Sequence, residues 1–317
     1  ADLVERHVGS LLLSSHDVPS GATVRNITSP AQLTELCAAI RSAAPGAVLL
    51  ATDQEGGNVA RLTPAYGFPS TRSAASLGAE GSATVTRAAG AAIAQTLAEV
   101  GIRLNLAPVV DVNTNPRNPI IGALDRSFSA DPAVVASQAA AFIDGHHDHG
   151  VLTTLKHFPG HGSSTGDTHQ GLVDVSDTWN DLELDPYRAL LASGHADSIM
   201  VAHVFNSHLD ASYPASLSAS TVTGLLRESL GFDGVVVSDD LQMGAITSQW
   251  SRTEAIRLAV LAGNDLLTFS NNVDSFDPGL GAAVHSTLLG LVADGSIPEE
   301  RIAEAYRRVS ALTARAA

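Results

Sequence analysis

Short apolar runs rich in β-branched residues alternate with alanine-rich helical segments, and this alternation limits the fold more than any other feature of the chain. The strand candidates are Val8–Leu13, Ala47–Thr52, Arg103–Val110, Val151–Leu155, Ser198–Ala202, Gly234–Val237 and Asp265–Phe269. The helix candidates are Ala31–Ala44, Ala83–Val100, Pro132–His147, Tyr187–Ser193, Thr221–Leu230 and Thr253–Leu261. Strands that are apolar throughout and separated by helices indicate a parallel sheet covered by helices.

Polar side chains at the strand ends distinguish between the two common folds of this kind. They are Asp53, Asp111, Lys156 with His157, His203, and Asp239 with Asp240. In a (β/α)8 barrel the carboxyl ends of the strands meet at one mouth, so these side chains would come together. A doubly wound nucleotide-binding sheet would carry G-x-G-x-x-G after its first strand, and the sequence has no such motif there. We therefore predict an α/β fold, a (β/α)8 TIM-type barrel, formed by residues 1–317 as a single domain.

Composition and charge narrow the class of protein. Apolar residues form 44% of the 317-residue chain and charged residues 16%, which is typical of a globular protein with a sizeable core. A formal net charge of −15 argues against nucleic-acid binding, and no apolar run is long enough for a membrane span. We expect a monomer. The location, cytoplasmic or exported, stays open, because the chain starts at Ala1 and processing or trimming before that residue fits the sequence.

The stretch LKHFPGHGSSTGDTH, residues 155–169, concentrates chemically active side chains. It contains Lys156, the only lysine of the sequence, which is suited to a Schiff base, to a substrate hydroxyl or to a structural ion pair. His157 and His161 are four residues apart, but Pro159 and the glycines exclude a helix, and no H-E-x-x-H pattern is present. We therefore predict no metal site.

Two further groups are candidates for acid–base or nucleophilic chemistry. Asp167 precedes His169 by two residues in a glycine-flanked loop, where a carboxylate can orient an imidazole as a general acid and base. Asp239 and Asp240 end an apolar run, and since side chains alternate along a strand, one of them can point into the barrel mouth as a nucleophile or base. We expect three histidines at a helix end to lie on the surface: His146, His147 and His149.

Five motifs together resemble those of glycoside hydrolase family 3. They are DQEGGNVARL at 53–62, LNLAPVVDV at 104–112, NPIIGALDRSF at 118–128, KHFPGHGSSTGDTH at 156–169 and GFDGVVVSDDLQM at 231–243. The match runs in the family's order from about Val8 to the end of the chain. Within the family, the chain is similar to the single-domain bacterial β-N-acetylglucosaminidases of the peptidoglycan-recycling type.

This resemblance implies a retaining exo-β-N-acetylglucosaminidase that forms a covalent glycosyl-aspartate. The substrate would carry terminal β-linked N-acetylglucosamine, in muropeptides derived from peptidoglycan or in chitooligosaccharides. By matching positions, the nucleophile is Asp239, and the general acid/base is His169, oriented by Asp167. The implied sugar-binding residues are Asp53, Arg61, Arg126, Lys156 and His157. No metal or organic cofactor is implied.

Three features depart from the family pattern. Asn58 stands where the family commonly has arginine, and extra residues precede Arg126. At both positions the contacts with the sugar subsites therefore cannot be carried over from the family pattern. Val8–Leu13 corresponds to the family's second strand, so the first strand is missing or altered at the N-terminus.

Three other functions compete with this hydrolase. A neutral imidazole repels an anion less than a carboxylate does, so phosphate could replace water and make the protein a phosphorylase. A lyase or aldolase would use Lys156 as a Schiff base. The remaining alternative is a barrel that binds sugar without catalysis.

Overall fold

A seven-stranded parallel sheet forms the centre of the computed structural model, which describes residues 2–316. Its strands are β1 Ser10–Leu12, β2 Leu49–Thr52, β3 Leu104–Asn105, β4 Leu152–Phe158, β5 Ser198–Val201, β6 Val235–Asp240 and β7 Leu266–Thr268. Each pairs with the next along the chain, with Leu11 opposite Leu50 and Val235 opposite Ser198. Parallel strands in chain order with helical connections are the arrangement of a (β/α)8 barrel, so the predicted fold class is confirmed.

Helices connect these strands. They are α1 Asp2–Glu5, α2 Pro30–Ala43, α3 Ala74–Glu80, α4 Ala83–Val100, α5 Pro132–His147, α6 Asp185–Ala192, α7 Gly244–Thr247, α8 Arg252–Ala262, α9 Leu280–Ala293 and α10 Glu299–Arg315. A π-helical segment covers Ser220–Ser229. The 3-10 turns are Pro64–Tyr66, Gly122–Leu124, Asp181–Leu184 and Ala215–Leu217. Short strands pair Gln54–Gly56 with Val59–Ala60, and Val173–Asp174 with Val204–Phe205.

Alternating residues of the central strands belong to two different apolar clusters. Leu49, Leu104 and Val235 belong to an inner cluster, whereas Leu50 and Val236, one position along, pack in the cluster that includes the helices. Leu312 of α10 joins the inner cluster, so α10 closes the amino end of the barrel. The charged side chains of the candidate site lie at the opposite, carboxyl end of the strands.

The sheet has two edges, at β1 and β7. Within residues 2–316 these two edge strands do not pair with each other. At the carboxyl end, side chains join the two edges: Asn272 accepts from the Val18 N–H at 3.0 Å, and Arg25 donates to the Asn271 carbonyl at 2.7 Å. At the amino end, an apolar cavity of about 640 Å³ lies between β1, β7, α9 and α10, far from the catalytic candidates.

The structure differs from the sequence predictions in three places. Strand β3 ends at Asn105 and not at Val110, because Pro108 has no N–H to continue the ladder. Helices α1, α3, α7, α9 and α10 lie outside the predicted helices. His146 is wholly buried, with Nε2 3.0 Å from Asn105 Nδ2, so the surface prediction was wrong for it: this face of α5 packs on the sheet. No helix of residues 2–316 combines the length and hydropathy that crossing a bilayer requires.

Candidate active site

Five charged side chains form one connected group at the barrel mouth. Lys156, at the end of β4, donates to Asp53 Oδ1 at 2.8 Å and lies 2.7 Å from Glu55 Oε1. Arg126 donates to both oxygens of Glu55, at 2.7 and 2.8 Å. Arg61 lies 3.5 Å from Asp53 Oδ2 at the more exposed side. Four of the five predicted sugar-binding residues therefore belong to one group that presents both hydrogen-bond donors and acceptors to a ligand.

The charge states in this group follow from its pairings. Burial would lower the pKa of Lys156, but the carboxylates of Asp53 and Glu55 raise it, so the side chain is an ammonium ion. Burial would raise the pKa of Glu55, but Arg126 and Lys156 hold it well below its usual range. A Schiff-base lysine must lose its proton before it attacks a carbonyl. Two carboxylates around Nζ oppose that loss and argue against the lyase alternative.

The fifth predicted sugar-binding residue, His157, is oriented by a buried carboxylate. Its Nδ1 lies 2.7 Å from Asp111 Oδ2, and its Nε2 lies 3.2 Å from Arg126 NH2. Since arginine is always a donor, this network assigns the proton to Nδ1 and the lone pair to Nε2. Asp111 also accepts from the His161 N–H at 2.8 Å, so one carboxylate fixes both the imidazole and the loop that follows β4.

Asp239 and Asp240 lie at the end of β6 and have different surroundings. Asp240 accepts from Ser270 Oγ at 2.5 Å and from the Gln242 N–H at 3.0 Å, so it fixes the turn after the strand. Burial would raise the pKa of Asp239, but His203, His157 and His169 and the Asp240 N–H hold it at about 2. Asp239 is therefore an anion, and the only recorded bond of its carboxylate among the described residues is from the Asp240 N–H to Oδ1 at 2.8 Å, which fits a nucleophile.

His203 ties the strand that carries Asp239 to its neighbour. Its Nε2 lies 2.9 Å from the Asp240 carbonyl oxygen and its Nδ1 lies 2.7 Å from Ser216 Oγ. Burial lowers the pKa of His203, although the charge of Asp239 opposes this shift. Nε2 donates to the Asp240 carbonyl, and Nδ1 lies within hydrogen-bond distance of the Ser216 hydroxyl. The backbone beside Asp239 is thereby held from the end of β5.

Asp167 and His169 form a hydrogen-bonded pair in the loop between β4 and α6. His169 Nδ1 lies 2.7 Å from Asp167 Oδ1, which also accepts from the His169 N–H at 2.9 Å. Burial would raise the pKa of Asp167, but these bonds from His169 lower it, so the carboxyl is an anion. The His169 side chain is 61% exposed, and its Nε2 has no recorded partner among the described residues, which leaves it available to exchange a proton with a ligand.

Glu183 lies behind the loop that follows β4. Its side chain is fully buried, and Oε2 accepts from the Gly162 N–H at 2.9 Å. Gly160 has a φ of +126°, and a Cβ there would approach Glu183 Cβ to 2.5 Å, so only glycine fits. Burial raises the pKa of Glu183 to about 7, although the Gly162 N–H donates to it.

This environment predicts a pH dependence of stability. Unfolded glutamate has a pKa near 4.3, so between about pH 4.5 and pH 7 the folded state binds more protons, and stability falls as pH rises. Glutamine has the same shape as glutamic acid but cannot ionise. We therefore expect the free energy of unfolding of Glu183→Gln to lack about 3 kcal/mol of the decrease that the wild-type protein shows between these pH values. Urea unfolding at pH 5 and pH 8 measures it. The exposed Glu299→Gln is the control, and a wild-type pH dependence in Glu183→Gln would contradict the assignment.

Comparison with known proteins decides the family. The model of the glycosyl hydrolase family 3 N-terminal domain matches residues 1–312. The chain belongs to glycoside hydrolase family 3. It is therefore a glycoside hydrolase.

Relatives of this family 3 hydrolase cover most of its length. The β-hexosaminidase of Xylella fastidiosa (strain M23) is 40% identical over 250 residues, 77% of this chain and 73% of the relative. The β-hexosaminidase of Stenotrophomonas maltophilia (strain K279a) is 37% identical over 300 residues, 89% of this chain and 86% of the relative.

Two solved structures are similar to this family 3 hydrolase over almost the whole chain. A family 3 β-N-acetylglucosaminidase from Paenibacillus sp. str. FPU-7 has a TM-score of 0.89 and 36% identity over 98% of this chain, which spans only 57% of that protein. The β-N-acetylhexosaminidase from Beutenbergia cavernae DSM 12333 has a TM-score of 0.83 and 34% identity, over 97% of this chain and 90% of the other.

Several residues of this family 3 site were not among the sequence candidates. Glu55 joins Lys156 to Arg126, and its position in the D-Q-E-G-G motif was the available signal. His161 and Glu183 gave no separate signal. Asn58, a departure from the family pattern, donates to the Leu124 carbonyl at 3.2 Å, in the segment that leads to Arg126. Residues 2–316 contain no cluster of three or more His, Cys, Asp or Glu side chains arranged to hold a metal ion.

Proposed function

We propose that this family 3 hydrolase is a retaining exo-β-N-acetylglucosaminidase built on one barrel domain, residues 1–317. The observation that carries the proposal is the presence of a half-buried, anionic Asp239 at the end of β6 together with an Asp167–His169 pair on the loop after β4. A carboxylate nucleophile and a separate proton donor are what a two-step displacement at an anomeric carbon needs. The β-hexosaminidase names of the relatives support the same substrate class.

In the first step, Asp239 attacks the anomeric carbon, and the bond to the aglycone oxygen breaks. That oxygen takes the proton from His169 Nε2, while Nδ1–H stays bonded to Asp167, whose negative charge stabilises the protonated ring. The product is a glycosyl-aspartate. A histidine in place of the usual second carboxylate avoids a second negative charge beside the reacting centre.

In the second step, the now neutral His169 removes a proton from water, which attacks the same carbon. The bond to Asp239 breaks, and the carboxylate and the protonated imidazole are regenerated. Two inversions at one carbon return the β configuration. One imidazole therefore serves as acid and then as base.

The charged group around Lys156 would bind the terminal sugar. Asp53 and Glu55 accept hydrogen bonds from sugar hydroxyls, while Lys156, Arg61 and Arg126 donate to hydroxyl oxygens. We propose that the aglycone is an N-acetylmuramic-type sugar of a muropeptide or a further unit of a chitooligosaccharide. The enzyme would act as a monomer with no cofactor.

The test is release of nitrophenol from the β-N-acetylglucosaminide and the β-glucoside, in phosphate and in phosphate-free buffer. We expect turnover of the N-acetyl substrate alone, with free sugar as the product in both buffers. Formation of sugar 1-phosphate in phosphate buffer would show that the protein is a phosphorylase and not a hydrolase. Binding of N-acetylglucosamine without turnover of either substrate would favour the alternative of a barrel that binds sugar without catalysis.

A further inference from the structure

The loop that carries Asp167 and His169 is attached to the turn that follows Asp239. The backbone N–H of Gly244 donates to the His169 carbonyl at 3.1 Å, and the N–H of Ala245 donates to the Thr168 carbonyl at 3.0 Å. These two bonds join the general acid/base candidate to a residue only five positions after the nucleophile candidate. Backbone hydrogen bonds therefore hold together the two segments that carry the catalytic candidates.

Close approach of the two backbones requires the absence of a side chain at residue 244. A Cβ built on Gly244 would lie 2.7 Å from the His169 carbonyl oxygen and 2.8 Å from the Gln170 carbonyl carbon and oxygen. All three are backbone atoms, which cannot rotate away as the end of a side chain can. Gly244 does not have a positive φ, so alanine is sterically allowed by the residue's own backbone, and only the docked loop excludes it.

The two sides of this contact differ in how firmly they are held. Ala245 and Ile246 are buried, and Ile246 packs with Leu217, Leu241 and Leu258. His169 on the other side is largely exposed. Because α7 is fixed by its core contacts, a steric conflict at residue 244 is relieved by movement of the loop.

We propose that Gly244 is a positioning residue. Because it lacks a side chain, the backbone of the loop can pack directly on the Gly244 backbone, and this contact sets the position of the His169 imidazole relative to Asp239. This inference rests on the proposed function, since it assumes that His169 transfers the proton and that Asp239 attacks. It adds a specific requirement: residue 244 must lack a side chain for the acid to reach the leaving oxygen.

The variant that tests this role is Gly244→Ala, with Gly290→Ala as the matched control, because Gly290 in α9 has nothing within 4 Å of its built Cβ. A catalytic group displaced by about 1 Å costs on the order of 100-fold in rate. We therefore expect kcat/KM of Gly244→Ala to fall about 10- to 100-fold for an alkyl or disaccharide substrate, whose leaving oxygen must be protonated. For the dinitrophenyl glycoside, which leaves without a proton, we expect less than about a twofold change. Equal losses on both substrates, or no loss on either, would overturn the proposal.

Hydrogen exchange provides a second readout that does not depend on activity. In the wild-type protein, protection of the Gly244 and Ala245 amides comes from the loop carbonyls of His169 and Thr168. We expect slow exchange at both amides, and faster exchange at Ala245 in a folded Gly244→Ala variant. Rapid exchange at both amides in the wild-type protein would overturn the docking even if the variant did not fold.

The two hypotheses fail in different ways. If His169→Ala shows no dependence on the leaving group, the proposed acid role fails, and the exchange data still decide whether the loop docks at Gly244. If His169→Ala shows that dependence and Gly244→Ala does not, the proposed function stands and the positioning role of Gly244 is overturned.

Discussion

Replacement of Asp239 by asparagine or glycine is expected to lower turnover of a nitrophenyl β-N-acetylglucosaminide by about 10⁴-fold or more, the order found when a catalytic nucleophile is removed. The physical reason is that Asp239 is a half-buried anion at the barrel mouth, whereas the other carboxylate at the end of β6, Asp240, is held by Ser270 and the Gln242 N–H. Steady-state rates measure the loss. Asp294→Asn, an exposed turn carboxylate between α9 and α10, is the matched control and should be unaffected.

Azide shows whether the lost group was the nucleophile. In Asp239→Gly, azide can enter the vacated space and attack the anomeric carbon directly, while His169 still protonates the leaving oxygen. One inversion gives the α-glycosyl azide. Retention of more than a tenth of the wild-type rate in Asp239→Asn, or a β-glycosyl azide from Asp239→Gly, would contradict the assignment of Asp239.

The second large effect is expected for His169→Ala, and it should depend on the leaving group. General acid catalysis contributes about 10²- to 10⁴-fold, so we expect a loss of that size for substrates whose leaving oxygen needs a proton. The dinitrophenyl glycoside should still form the glycosyl-enzyme quickly. Its hydrolysis then stalls because no base activates water, so a burst of dinitrophenol should precede a slow steady state.

Azide again identifies the step. It attacks without a general base, so it should restore turnover of the dinitrophenyl glycoside by His169→Ala and give the β-glycosyl azide, the opposite anomer from that of Asp239→Gly. His149→Ala, an exposed histidine at the end of α5, is the control. Equal losses of rate on activated and unactivated substrates would contradict the assignment of His169 as the general acid.

The fold was predictable because its signals are local. Each predicted apolar run overlaps a strand of the central sheet. The failures concern contacts between distant segments. His146 was placed on the surface from its position at a helix end, but the face of α5 that contacts β3 decides its burial.

The sequence supplied the candidate residues of the site but not the contacts between them. Motifs identified Lys156 and Arg126, but the carboxylate between them, Glu55, is 71 residues from Arg126 along the chain, and periodicity carries no information at that range. The same holds for Gly244: its role depends on a loop that returns from residue 169 to the end of β6. A single sequence shows directly which side chains are chemically active. It does not show which backbone segments pack together and position those side chains.

The measurement that tests the central claim most directly is proton NMR of the sugar released in the first minutes of hydrolysis by the wild-type enzyme, before mutarotation mixes the anomers. A glycosyl-enzyme formed on Asp239 and opened by water with help from His169 predicts β-N-acetylglucosamine as the first product. The α anomer as the first product would mean a single displacement by water, and would contradict a covalent role for Asp239.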